Sequence, residues 1–371
     1  MTDFIPEAQL ILATLRAFIQ GESLPDLFPV HWEQVFVLAA QQRLIPILHT
    51  TLTKTSMPPE VWSRLDQAAR QQRIRTAMLV DAFVTINEAM AQAGIAVMPV
   101  KGMYLAHRVY QSVNHRYFDD IDLLIPAEAT REAVAVMHRL GYITHPQAEK
   151  PDWHHLAPFL HQQSKVVVEL HTDLIRRAGP GWGVAEIWQR ANRGRIAGIE
   201  TTLISEVDAL IHTALHARHN RYKRLSFFLD AHLQLSHLQA PQQRELLLML
   251  AREAGAQVAL AYLGQVGHRL WNAAAWPVSV TGWRGRMTER LAQWHTFDQP
   301  LRSTGEGPLP NVLELLLMDR WSDSLRLAYR LLFPPPQFLA DYYGGDKPFN
   351  YGKRFFLRTR RITRQLWGRD R

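Results

Sequence analysis

The sequence predicts an α/β (α+β) protein, with a small mixed-sheet core embedded in predominantly helical flanking regions. Three observations carry that expectation. Between Ile95 and Leu140 a short apolar run, a helix-like segment, a second apolar run and an amphipathic segment follow in order, which is the order of a small α/β sheet. On both sides of that stretch the apolar residues recur at helical rather than alternating spacing. The chain is 371 residues long and 47% apolar with 20% charged residues, enough to bury a large core in more than one domain.

The elements are justified in chain order. Residues 3–20 carry Leu10, Ala13, Leu15 and Phe18 and read as a first helix. Pro25 and Pro29 interrupt the chain before Trp32, Val35, Phe36 and Ala39, again at helical spacing, and Pro46 opens a further short apolar segment. After Pro58-Pro59 one long helical pattern reaches Ala93, with Leu79, Phe83, Ile86 and Met90 on one face and Gly94 as its stop. Ile95–Val100 reads as the first core strand and Met103–Tyr110 as the helix that follows the Lys101-Gly102 turn. Asp119–Ile125 is the second strand, closed by Pro126, and residues 127–140 form an amphipathic helix through Ala133, Val136, Met137 and Leu140. Ser164–Leu174 is β-rich around Val166-Val167-Val168. From Val184 the pattern is helical, apart from a hairpin-like piece at 194–203. Ser205-x-x-Asp208 has the form of a capping box, and helices are expected at 225–239, 242–267, 283–297 and 311–332. The expected division is 1–74 helical, 75–180 core, 181–333 helical and 334–371 a basic tail opened by Pro334-Pro335-Pro336.

Composition narrows the function classes. The chain has no cysteine, which excludes disulfides, zinc ribbons and a thiol nucleophile and fits a reducing, cytoplasmic setting. The start of the chain lacks the basic region of a signal peptide, and no uncharged apolar run is long enough to span a bilayer. Of the net charge of +8, a local +7 resides in residues 351–371, where eight Lys or Arg face Asp370 alone. That tail, with Phe355, Ile362 and Leu366 near one side, suits an anionic partner, either RNA or a membrane surface to which the protein would be peripheral. Equally, it suits a packed C-terminal helix.

The chemistry is concentrated in Val97–Pro126. Asp120 and Asp122 are two residues apart on a predicted strand, so their carboxylates project from one face. Two carboxylates so close repel, and a divalent cation that also holds substrate phosphates resolves the conflict. Further along, His212, His216 and His219 lie at i, i+4 and i+7 on one helical face. They could hold a metal, as a hydrolase would, but zinc sites draw ligands from several elements, and a polar face at a cleft or in solvent is the plainer account.

Lys101-Gly102, a helix, and then Arg116-Tyr117-Phe118-Asp119-Asp120-Ile121-Asp122-Leu123-Leu124 resemble the uncharacterised nucleotidyltransferases of the DNA polymerase beta superfamily. The resemblance covers roughly residues 75–240, including an Asp like Asp230 after a Leu-rich segment. Many superfamily members have Gly-Ser where this chain has Gly102-Met103, so a serine that often helps hold the triphosphate is missing. The resemblance implies transfer of NMP from an NTP such as ATP to an acceptor hydroxyl, with Mg2+ or Mn2+ as cofactor. It implies a third carboxylate from a neighbouring strand, carried here to Glu169 in Glu169-Leu170-His171; otherwise Glu169 is an edge-strand residue facing solvent. Asp120, Asp122 and Glu169 would then be the catalytic and metal-holding residues, and Lys101, Gly102 and Arg116 the nucleotide contacts. For Arg116 a salt bridge to Asp119 is an equal alternative, while Tyr104 and His171 are lining residues. The acceptor, whether protein, RNA, sugar phosphate or another small molecule, is not legible. The alternative function is a catalytically weak nucleotidyltransferase fold serving as a binding or antitoxin-like partner.

Overall fold

A computed structural model describes residues 4–21, 24, 29–54, 57–144, 156–175, 181–272, 276–295 and 315–332. The expectations for the Pro-rich segment and the basic tail lie outside the described residues.

Four helices precede the sheet: α1 (Pro6–Gln20), α2 (Trp32–Gln41), α3 (Ile45–Thr51) and the 34-residue α4 (Pro59–Gln92). Leu79, Phe83, Ile86 and Met90 are fully buried along α4, the face predicted from their spacing. The sheet then forms from β1 (Met98–Val100), β2 (Asp120–Leu124), β3 (Tyr142–Thr144), β4 (Phe159–His161) and β5 (Val167–His171) in the spatial order β1-β2-β5-β4-β3. Only β2 and β5 run parallel; the other pairs are antiparallel, so the sheet is mixed as expected. Between β1 and β2 lies α5 (Lys101–Arg108), and α6 (Thr130–Arg139) follows β2 with Ala133, Val136 and Met137 buried. The strands β3 and β4 have only three residues each, too few to show a period of two.

Helix α7 (Val184–Arg190) leads into a hairpin of β6 (Asn192–Ile196) and β7 (Ile199–Leu203), the hairpin-like piece expected there. Its Ala197-Gly198 turn has positive φ at both residues, as a tight two-residue hairpin requires. The hairpin reaches the sheet, since the Thr202 amide and the Thr201 hydroxyl both donate to the Val97 carbonyl.

Helices α8 (Glu206–His219), α9 (Leu225–His237), α10 (Pro241–Ala254), α11 (Gln257–Trp271), α12 (Gly282–Trp294) and α13 (Trp321–Leu332) complete the described chain. Ser205 caps α8 by accepting from the Asp208 amide, as its capping pattern predicts. The single helix expected over 242–267 is broken instead. Gly255 adopts φ 69 as a left-handed cap, and Asp319 accepts from the Gln257 and Val258 amides, satisfying the new N-terminus of α11. One apolar core runs from Ala8 through the sheet to Leu317, and Arg16 of α1 donates to the Leu270 carbonyl of α11. No helix among the described residues is long and apolar enough to cross a membrane.

Candidate active site

The parallel pairing of β2 and β5 builds the site. Asp122 lies directly opposite Glu169, Asp120 opposite Val167 and Leu124 opposite His171. Side chains alternate along each strand, so Asp120, Asp122, Glu169 and His171 share one face of the sheet. Ile121, Leu123, Val168 and Leu170, all fully buried, fill the other. Ligand atoms of Asp122, Glu169 and His171 all lie within 4.8 Å of one another, a group of a size that could hold a metal ion. Asp120 is outside that tight group but next to it, and its carboxyl feels the charges of Asp122 and Glu169.

Charge on this face is unevenly compensated. Lys101 Nζ donates to Asp122 Oδ1 at 2.7 Å and lies 3.8 Å from Glu169 Oε2. His171 Nε2 is 2.9 Å from Asp122 Oδ1 and 3.5 Å from Glu169 Oε2. Burial opposes ionisation of Asp122, which is 2% exposed, yet Lys101 and His171 outweigh it and hold the carboxyl well below the usual range. The His171 hydrogen bond likewise keeps Glu169 low, against partial burial. The same contacts raise Lys101 and His171 against the effect of their own burial. The Asp120 carboxyl has no ion pair or hydrogen bond among the described residues. Burial first, then the neighbouring charges of Asp122 and Asp119, push it up to about 7. Carboxylate oxygens gathered on one face, one of them raised by burial and by its neighbours' charges, fit a hard divalent ion. His171, already bonded to Asp122, fits an orienting partner of such a ligand.

Lys101 and Gly102 stand in the first turn of α5, and the expected turn before the helix is absent. The left-handed residue is Lys101, at φ 48. Gly102 is needed for another reason: a Cβ there would meet the Phe118 Cβ at 2.5 Å. Met103 is fully buried in the core.

The salt bridge expected between Arg116 and Asp119 is not formed. The Arg116 Nε and Nη2 meet Asp230 Oδ1 and Oδ2 at 2.7 and 2.8 Å, and the Tyr110 hydroxyl donates to Asp230 Oδ1 at 2.7 Å. Asp119 is instead the partner of Arg43. No local signal could reveal Asp230, 114 residues away, as the partner of Arg116.

On α8, His212 and His216 stack with ring centroids 6.0 Å apart, whereas His219 is exposed. Among the described residues the three form no metal group. His216 faces the site: burial and the Lys101 charge hold its imidazole well below its usual pKa, and Asp122 is also within electrostatic reach. His171 is the residue that sequence reasoning undervalued. Its position two residues after Glu169 on a strand, hence on the same face, was the available signal.

Comparison with known proteins gives partial structural likenesses. The solution structure of the antibiotic-resistance factor ANT(2'')-Ia matches at 18% identity with a TM-score of 0.36, covering 47% of this chain and 92% of that one. The crystal structure of ANT(2'')-Ia in complex with adenylyl-2''-tobramycin matches at 18% identity and TM-score 0.34, covering 47% and 97%. The lincomycin-bound lincosamide antibiotic adenylyltransferase LnuA matches at 13% identity and TM-score 0.29, covering 41% and 93%. No curated protein sequence matches the chain. A family model described as "uncharacterised nucleotidyltransferase" matches residues 29–272, most of the chain and more than the motif-bearing stretch, and the protein belongs to that nucleotidyltransferase family.

Proposed function

We propose that the protein moves NMP from an NTP to an acceptor hydroxyl, releasing pyrophosphate, with Mg2+ or Mn2+ held by Asp120, Asp122 and Glu169. The observation that carries this reading is the register that sets Asp122 against Glu169 on parallel strands with Asp120 on the same face. The ions, when bound, would lower the pKa of the attacking hydroxyl and stabilise the leaving oxygen. The remaining work is positioning and charge, since nucleotidyl transfer asks little covalent help of the protein.

In the transfer the acceptor oxygen bonds to the α-phosphorus and the bond to the β-phosphate bridging oxygen breaks. Glu169, kept ionised by His171, would accept the hydroxyl proton. Lys101, which contacts both Asp122 and Glu169, would present its ammonium to the triphosphate. The start of α5, at Lys101-Gly102, would turn backbone N–H groups toward the phosphates. Arg116 would act from behind the site: bound to Asp230, it fixes the approach to β2. A direct phosphate contact from Arg116 would require that pair to open.

The test combines turnover with binding. The full chain is incubated with magnesium and each α-labelled NTP, alone and with lysate, and protein, RNA and small molecules are separated. Label should move to an acceptor in one fraction. Asp122→Asn should abolish the transfer and weaken manganese–nucleotide binding in calorimetry while the melting temperature is kept. Equal binding and transfer by wild type and Asp122→Asn would refute the carboxylate site.

A further inference from the structure

Beside the carboxylate face, around Tyr117 and Asp119, three arginines converge from separate elements. Arg43, in the turn after α2 at φ 60, lays its guanidinium over the Tyr117 ring, 4.9 Å from the centroid. Its two terminal nitrogens donate to Asp119 Oδ1 and Oδ2 at 3.3 and 3.2 Å. Arg75, from α4, donates to the Asp119 and Lys165 carbonyls at 3.1 Å each and to the Ser164 carbonyl at 3.5 Å. Arg224 immediately precedes α9. The Tyr117 hydroxyl lies within electrostatic reach of all three guanidinium groups and of Asp119.

Charge in this cluster does not balance. Asp119 is the one carboxylate bonded to it among the described residues, and it serves Arg43; Arg116 nearby is matched by Asp230. Arg75 is bonded to carbonyls alone, and Arg224 has no ion pair among the described residues. Three cations against one anion leave a surplus of two positive charges. Arg224 is half-buried, and its charge is disfavoured first by that burial and then by the Arg43 charge. Such convergence is unfavourable unless an anion completes it. The cluster stays accessible, with the Asp119 side chain 45% and the Arg43 side chain 24% exposed. Planar guanidinium forks match phosphate oxygens in paired hydrogen bonds, which a single lysine cannot do. The Asp119 charge reaches the Asp120 carboxyl, so an anion held here lies within electrostatic reach of the carboxylate face.

We propose that Arg43 and Arg224, with Arg75 fixing the floor of the site, form a phosphate-binding site around Tyr117 at the N-terminal edge of β2. The ligand is a phosphate group of a substrate, borne either by the NTP or by the acceptor. Only this assignment to a substrate rests on the transferase reading.

The experiment titrates the full chain with inorganic pyrophosphate in EDTA, so that no divalent ion takes part, and repeats the titration with ATP and AMP. Wild type should bind pyrophosphate. Arg224→Ala should bind it about tenfold more weakly, the loss of roughly one charge-assisted hydrogen bond. Arg224→Lys should recover part of the affinity. If Arg224→Ala also loses ATP but not AMP, the site holds the triphosphate; if ATP binding is kept while pyrophosphate binding falls, it holds a phosphate of the acceptor. Thermal melts check folding, and Arg43→Ala replaces Arg224→Ala if the latter fails to fold. Absence of pyrophosphate binding to wild type, or equal binding by the folded arginine variants, overturns the proposal. Loss of transfer on Asp122→Asn, with these titrations unaltered by the arginine variants, would sink this site alone and leave the transferase reading standing.

Discussion

Replacing Asp230 with alanine should be among the most damaging single changes in the chain, although Asp230 is far from the carboxylate face in sequence. Its side chain is 1% exposed and accepts from Arg116 twice and from Tyr110 once. Removing one member of a buried ion pair strands the other charge and costs about 3–5 kcal/mol. The Tyr110 hydroxyl, itself buried, would lose its acceptor, worth about 1 kcal/mol more. A loss of about 4 kcal/mol is a large part of the ~5–15 kcal/mol that holds a typical domain folded. Arg116→Met together with Asp230→Leu removes both charges, and such replacements are about neutral when the volume is kept. Urea unfolding of the two single variants and the double variant should therefore give losses that do not add, with the double variant within about 1 kcal/mol of wild type. The double variant should also keep its NTP affinity if Arg116 serves the site through β2. Single-variant losses below about 1 kcal/mol would refute the buried-pair argument. A stable double variant that no longer binds NTP would return Arg116 to the phosphates.

Other expectations follow from single contacts. If Glu169 is the proton acceptor proposed above, Glu169→Gln should cut turnover by about a hundredfold or more while NTP binding, measured by calorimetry, stays close to wild type; unchanged turnover would remove Glu169 from the chemistry. Gly102→Ala should destabilise by about 1–3 kcal/mol in urea, because its Cβ overlaps Phe118, and an unchanged unfolding midpoint would contradict that contact. His295 is buried, bonded through Nδ1 to the Tyr262 hydroxyl at 2.8 Å, and depressed from 6.5 to about 3 by burial and then by Arg269. Below pH 6.5 the unfolded chain takes up a proton that the folded chain refuses, so stability should fall as pH drops. From His295 alone the fall is about 1.4 kcal/mol by pH 5.5, and His295→Gln should flatten the slope measured by urea unfolding across that range.

The parts of the fold that showed in the sequence are those set by local periodicity. The buried face of α4, the strand with Asp120 and Asp122, and the hairpin before α8 all follow from residues within a turn or two of one another. The break at Gly255 was less visible, because the apolar spacing continues through it and the group that stabilises the new helix start, Asp319, lies 62 residues away from Gln257. In the site, the carboxylates were legible because spacing two on a strand places them together. Their compensation was not. Lys101 reaches Asp122 across 21 residues, His171 across 49, and Arg116 finds Asp230 across 114. The arginine cluster at Tyr117 draws on positions 43, 75 and 224, which no local pattern connects.

The Lys101-Gly102 pair shows how one short motif can satisfy two separate demands. A left-handed φ suits glycine and costs a side-chain-bearing residue about 1–2 kcal/mol, yet the residue at φ 48 is the lysine. Glycine is used one position later, where the close approach of Phe118 leaves no room for a Cβ. Exchanging the two would relieve the backbone at 101 but put a side chain into Phe118 and remove the ammonium from Asp122. From that position the Lys101 ammonium faces two carboxylates, at 2.7 and 3.8 Å. With Lys101 and His171 both committed to Asp122 and Glu169, the carboxylate left without a partner among the described residues is Asp120, and it is Asp120 that resists ionisation. In the proposed metal site a cation would therefore relieve Asp120 most, since Asp122 is already paired with an ammonium.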